Sequence, residues 1–246
     1  MESVGRRVPS THGEEFDHVN AAMPPEGPRH RPLPDMVAAH VREQIMSGAI
    51  RPGEFLRMEP IADAVGVSIT PVREGLVRLT NEGFVTAVPR RGFVVAEFTR
   101  RDVRDLFWAQ SRLAGELAAR AADRITVDEL DEFSGLMTMS DAAIASGDPV
   151  AIGEYGHRLH RHVNLVARSD RLARMLASIV KHLPNSFYGS IEAHIRTVPA
   201  DHRDLYAALA AHDAERARAV TERHTLGSAD YVVEMLEGRG LWGDDR

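Results

Sequence analysis

The 246-residue chain contains no cysteine, which excludes disulfide staples, thiolate nucleophiles and cysteine metal ligands. No stretch approaches the ~20 consecutive apolar residues of a membrane-spanning helix. The N-terminal segment lacks the basic-then-apolar layout of a secretory signal, so the expected location is the cytoplasm. Lysine is almost missing: Lys181 is the single one, and arginine supplies the rest of the 30 basic residues. An excess of positive charge is missing too. The net charge of -6 argues against coating nucleic acid by bulk charge, but it leaves room for one basic face.

What is present falls into three stretches. Residues 1–31 are polar and aperiodic, with several Pro, Gly and His, and read as a disordered arm. Residues 32–98 alternate short helical patterns with turn signals. Residues 99–240 are helical almost throughout, rich in Ala, Leu and Arg. The expected fold class is therefore mainly α, with a small N-terminal domain followed by an antiparallel bundle of six or seven helices.

In the second stretch, Met36, Val37, Val41 and Ile45 recur at helical spacing up to the stop at Ser47-Gly48. Arg51-Pro52-Gly53-Glu54 reads as a turn. Ile61, Ala62 and Val65 predict a second short helix ended by Gly66. Ser68 or Thr70 suits an N-cap and Pro71 a first helical turn, opening a third helix whose buried stripe is Val72, Leu76 and Leu79. Two strands, Phe84–Val88 and Gly92–Phe98, flank Pro89-Arg90-Arg91. Two short helices joined by a glycine turn, then a ribbon with a basic tip, describe a winged helix-turn-helix. In that arrangement Ser68, Ile69, Thr70, Arg73 and Arg78 are candidates to meet DNA from the third helix, and Arg90, Arg91 and Gly92 from the wing. For any one of these arginines alone, solvated surface charge is the competing reading.

The run Ile50-Arg51-Pro52-Gly53-Glu54, Ile61-Ala62, Gly66-Val67-Ser68-Ile69-Thr70-Pro71-Val72-Arg73-Glu74, Leu79, Glu82-Gly83-Phe84 and Pro89-Arg90-Arg91-Gly92 resembles the GntR family of bacterial regulators. The resemblance implies sequence-specific binding to duplex DNA by a homodimer on a pseudo-palindromic operator. One position departs: Ile69 stands where the family commonly has a DNA-contacting arginine, and an apolar contact to a thymine methyl is what Ile69 offers instead.

The third stretch carries Val103, Leu106, Phe107, Leu113 and Leu117 on a long first helix, with Arg112 and Glu116 four apart. Thr126 with Glu129 has the spacing of a capping box, and Asp148-Pro149 opens another helix. Further helices are expected near 170–182, 185–196, 199–211 and 213–237, with Pro184 and Pro199 at boundaries. Together with Asp102, Arg112 and Glu116, the segment His202-Arg203-Asp204-Leu205-Tyr206-Ala207-Ala208-Leu209-Ala210-Ala211-His212-Asp213-Ala214 and His160 and His224 resemble the FCD ligand-binding domain of the FadR subfamily. The resemblance implies that His160, His202 and His224 hold a divalent metal, Zn²⁺ or Ni²⁺, inside the bundle. It also implies an acidic or amide ligand one turn before the first histidine; here that place is Gly156. His157, water or an effector carboxylate are the candidates to replace it. Arg112 is a candidate anchor for an acidic small-molecule effector, with an intrahelical pair to Glu116 as the alternative, and Asn164 a candidate to face the same site. His12, His18, His30, His40 and His212 read as surface or tail residues.

The expectation is thus a regulator without catalytic activity. Three rivals remain: a regulator with a metal-free sensor pocket, a metal-dependent hydrolase built on the three histidines, and an architectural DNA-binding module whose bundle is only packed core.

Overall fold

A computed structural model describes residues 32–194 and 198–242; the arm expected at 1–31 lies outside them. The order is α1 (Leu33–Met46), β1 (Phe55–Leu56), α2 (Met58–Val65), α3 (Ile69–Asn81), β2 (Val85–Val88), β3 (Gly92–Val95), α4 (Arg100–Ala122), α5 (Val127–Ser146), α6 (Pro149–Val166), α7 (Asp170–Val180), α8 (Asn185–His194), α9 (Val198–Ala210) and α10 (Ala214–Gly238).

The first six elements form the winged helix-turn-helix. The α1 stripe Val37, Val41 and Ile45 packs on the α3 stripe Val72, Leu76 and Leu79, all essentially without exposure. Gly75 allows this close crossing: a Cβ there would lie 2.7 Å from a Val37 methyl and 2.9 Å from the Pro34 carbonyl oxygen. Gly66 ends α2 in the left-handed conformation, with φ 72°, where glycine has no steric penalty. The ribbon is a three-stranded antiparallel sheet ordered β1-β3-β2. Its third member, the two-residue β1, lies directly after the Arg51–Glu54 turn and pairs Phe55 with Val94.

Among the described residues the bundle has seven helices, α4 to α10. Their starts follow local chemistry. Thr99 and Asp102 make a reciprocal capping box on α4, as Thr126 and Glu129 do on α5. Asp102 is thereby a helix cap. Asp148 caps α6 ahead of Pro149, and Asp213 caps α10. Pro199 sits in the first turn of α9, at the expected boundary, where its missing N–H is harmless. His212, expected as an ordinary surface residue, donates from Nδ1 to the Ala122 carbonyl at 2.7 Å, tying the α9–α10 turn to the end of α4.

The apolar core does not divide at residue 98. One cluster runs from the winged domain into Val103 and Phe107 of α4, Leu183 and Phe187 around the start of α8, and Val232, Val233 and Leu236 of α10. A second fills the far half of the bundle, around Leu117, Phe133, Leu159 and Leu209. The winged domain therefore rests on the helical body through continuous packing, reinforced by the indole N–H of Trp242 donating to the Phe98 carbonyl.

Candidate functional site

The first site is the leading face of α3. Ser68 is its N-cap residue and makes no side-chain capping bond, so the leading N–H groups are left to water or a phosphate. Ser68, Ile69, Thr70 and Arg73 are all exposed. Arg73 enters no ion pair among the described residues, and the alternate face of the helix is fully buried. Arg78 differs. One and a half turns further on, it forms a half-exposed ion pair with Asp35 of α1, a contact that competes with the expected one to DNA.

The wing tip is strained in an informative way. The Arg91 N–H donates to the Val88 carbonyl at 3.0 Å, closing a turn with Pro89 at its second position and Arg90 at its third. Arg90 has φ 62°, a conformation that costs a non-glycine residue on the order of 1 kcal/mol. The turn thus displays an arginine where glycine would be easier. The Arg91 guanidinium lies 4.8 Å from the centroid of the Phe55 ring, so the missed strand β1 supplies its platform. Gly92, with φ 99°, starts the return strand.

The second site lies in the bundle. His160 from α6, His202 from α9 and His224 from α10 converge, with ring centroids 5.2 to 5.6 Å apart. One ring nitrogen of each lies within 4.8 Å of the others. Zn–N bonds of about 2.0–2.1 Å place ligand nitrogens within roughly 4 Å of each other, so a slight closure of the rings accommodates such an ion. The residues present fit a borderline-soft divalent cation with one or more open positions. Asp201, beside His202 and 8% exposed, is the unpredicted member. Its Oδ2 is 3.4 Å from His224 Nδ1, and its Oδ1 accepts from Arg223 at 2.8 Å. A proton held on Nδ1 by this carboxylate leaves Nε2 as the ligand atom.

The hydrogen bond from His224, aided by Arg223, brings the Asp201 carboxyl down to about 2. A depressed carboxyl stabilises the fold above its unfolded value of about 3.9. That contribution disappears as pH falls from about 4 through 2. Asp201→Asn should therefore flatten the acid limb of stability in this window by on the order of 1 kcal/mol, after discounting for solvent screening. Circular dichroism during acid titration reads this; an unchanged limb would remove Asp201 as an anchor.

A cavity of about 290 Å³ opens beside the histidines, walled by α4, α6, α7, α8, α9 and α10. His160, His224, His157 and Asn164 line it. His157 is exposed and stays outside the three-histidine cluster, because three residues along a helix leaves it about 60° around the axis from His160. Arg112 does not reach the cavity. Its guanidinium pairs with Glu222 of α10 and stacks 5.9 Å from the centroid of Trp108. Glu116 pairs with Arg120 and Arg218 instead, and these two lower its carboxyl pKa. The intrahelical pair of Arg112 with Glu116 is not formed among the described residues, since a crossing helix competes for Arg112. The basic residues on the cavity wall are Arg161, Arg174 and Lys181.

A winged helix-turn-helix with an exposed basic reading face, carried on a helical body with a small cavity, defines the class of DNA-binding transcriptional regulators. The family described as bacterial regulatory proteins, gntR family, matches residues 33–95, and the FCD domain matches residues 105–227, half of the chain. The chain belongs to the GntR family and is of the type that carries an FCD domain. It is 30% identical over 120 residues to the HTH-type transcriptional regulator McbR of Escherichia coli, an alignment spanning 49% of this chain and 54% of McbR. It is 26% identical over 191 residues to the Nta operon transcriptional regulator of Aminobacter aminovorans, covering 76% of this chain and 89% of that one. The solved structure of E. coli McbR/YncC shares the fold with a TM-score of 0.63 at 22% identity, over 82% of this chain and 98% of that one. Among the described residues no helix is long and apolar enough to cross a membrane.

Proposed function

We propose that this chain works as a homodimer that places two α3 helices in successive major grooves of a pseudo-palindromic operator, and that a small carboxylate bound in the helical cavity adjusts operator affinity. The observation that carries the DNA half is Arg73. It stands exposed at the head of α3, without an ion pair among the described residues, beside Ser68, Ile69 and Thr70. Arg90 and Arg91 at the wing reach phosphate or the minor groove. One recognition helix contacts too few base pairs for specificity, and two-fold half-sites supply the rest. The work is done where the chromosome is, in the cytoplasm.

Arg73→Ala is expected to weaken binding to a selected operator by about 1–3 kcal/mol, the worth of one good base contact. Mobility shifts on duplexes enriched from random DNA would read this, with two chains per duplex at saturation. One chain per duplex, or full affinity in a folded Arg73→Ala protein, would overturn the arrangement.

The sensor half rests on the His160, His202 and His224 cluster opening on the cavity. These residues would hold Zn²⁺ or Ni²⁺, which supplies a Lewis-acidic point for an anionic group. Gly156 brings no carboxylate to the site, so less negative charge opposes an incoming anion. Asn164 and the basic wall residues complete the polar surroundings. Binding there shifts operator affinity only if the two states of the winged domain bind the effector differently. Membership of a regulator family disfavours the hydrolase reading, and the cavity disfavours a bundle that is packed core alone.

A further inference from the structure

The outward face of α3 carries a carboxylate as well as a guanidinium. Pro71, Val72, Gly75, Leu76 and Leu79 are buried, which fixes the direction in which the helix faces solvent. At about 100° per residue, Thr70 and Val77 lie closest to that outward line. Arg73 and Glu74 fall roughly 50° to either side of it, and both are exposed. The burial pattern thus gives the reading face two opposite charges on adjacent residues, directed to separate places along whatever the face meets.

Glu74 has no structural employment on that face. Among the described residues its carboxylate enters no ion pair and no hydrogen bond. Arg78, four residues further on and the partner that helical spacing offers, pairs with Asp35 of α1. Glu74 is the sixth residue of α3, past the first turn in which a carboxylate favours the positive end of the helix. On a face that approaches the phosphates of a duplex, a bare carboxylate weakens binding to every sequence. Only a base edge that gives it a proton to accept offsets that cost.

Resting on the operator reading above, we infer that Glu74 is a specificity-determining residue, which accepts from the N4 amino group of a cytosine in the major groove. The choice of base follows from the pattern of donors and acceptors. A carboxylate only accepts. Guanine and thymine turn only acceptors to the major groove, and adenine sets its N7 acceptor beside its amino group. Cytosine offers a donor alone. Arg73, which only donates, suits guanine O6 and N7 in the same way. Each half-site then holds two fixed G·C pairs, one read through guanine by Arg73 and the other through cytosine by Glu74. The repulsion between Glu74 and phosphate acts on any duplex, whereas the hydrogen bond forms only on the right one. The residue therefore separates operator from other DNA in both directions.

The test uses the full chain and duplexes enriched from random DNA. In the pool enriched by Glu74→Ala, one position per half-site should lose its cytosine while the other positions are kept. Glu74→Gln should turn that position toward adenine, which a carboxamide pairs bidentately. On the wild-type operator Glu74→Ala should bind roughly five- to a hundredfold more weakly. On unrelated DNA of the same length it should bind at least as tightly as wild type, because a repelling charge has gone. Replacing the cytosine by a pyrimidinone nucleotide, which lacks N4, should weaken wild type by a similar factor and Glu74→Ala hardly at all. Both variants change an exposed side chain and should melt with wild type. An enriched sequence left unchanged by Glu74→Ala, or an equal loss on operator and unrelated DNA, overturns this inference and leaves the operator reading standing. So does a wild-type protein indifferent to the pyrimidinone at every cytosine of the half-site, a result that needs no variant. Failure of the wild type to enrich any sequence overturns the operator reading and this inference with it.

Discussion

His202→Ala is expected to abolish metal binding. His202 is the most enclosed of the three imidazoles, 3% exposed, and it is the only one contributed by α9. Its ring lies 5.6 Å from that of His160 and 5.3 Å from that of His224, centroid to centroid. Removing it leaves two ligands on α6 and α10 with no carboxylate at position 156 to take its place. Loss of a group that merely supports a ligand typically costs 10–100-fold in metal affinity, so loss of a ligand should exceed a hundredfold. Protein purified without a histidine tag and dialysed against Zn²⁺ or Ni²⁺ should carry about one ion per chain, and His202→Ala none. The wild-type ion should raise the midpoint of thermal unfolding, because it binds the folded site and not the open chain. Affinity should fall on acidification, since protons compete with the ion for the same ring nitrogens. A wild-type protein that takes up no ion from either bath, with an unshifted melting curve, would leave a metal-free polar pocket as the sensor.

The parts of this picture that were legible in the sequence are those set by local chemistry. Gly66, Ser68 and Pro71 mark the turn and the start of α3, because left-handed backbone, capping and a missing N–H are properties of single residues. Thr126 with Glu129 and Asp148 with Pro149 mark helix starts for the same reason. The two-residue β1 was not legible: Phe55 and Leu56 have no alternation of their own and become a strand only because β3 lies beside them. The three histidines stood out by resemblance rather than by spacing, since His202 comes 42 positions after His160, on a different helix. Arg112 shows the limit of helical spacing. Glu116 is its neighbour four residues on, but Glu222 arrives from α10 and takes the ion pair. Asp201 was missed. A faint signal existed for it, because Asp201 precedes His202 directly.

The largest stability effect away from the sensor should come from Glu82→Gln. Glu82 follows α3, with its side chain 11% exposed, and accepts from Arg42 of α1, itself 10% exposed. Its other oxygen lies 3.2 Å from Lys181 Nζ, just beyond α7. Around this point the Arg42 guanidinium lies over Phe84, which stacks on Phe98 at 5.4 Å and leans against His182 at 5.9 Å. The winged domain and the cavity-bearing helices therefore meet at one carboxylate. The two halves of the bridge are unequal. Lys181 is 56% exposed, and its pair with Glu82 is worth under about 1 kcal/mol. Arg42 is enclosed, and its Nε already has no partner among the described residues, so without the carboxylate its charge is buried and uncompensated. Breaking such a pair costs about 3–5 kcal/mol. For a chain of this length that corresponds to a fall in melting temperature of roughly 6–20 °C. Urea unfolding of Glu82→Gln beside Lys181→Met separates the two contributions, and Arg42→Met with Glu82→Leu should recover most of the loss by replacing the ion pair with apolar packing. Because Lys181 also lines the cavity, Lys181→Met should leave stability nearly intact while weakening the response of operator binding to a bound carboxylate. A Glu82→Gln protein within 1 kcal/mol of wild type would mean that Arg42 finds water at this junction, and that the contact between the two bodies is carried by the apolar cluster alone.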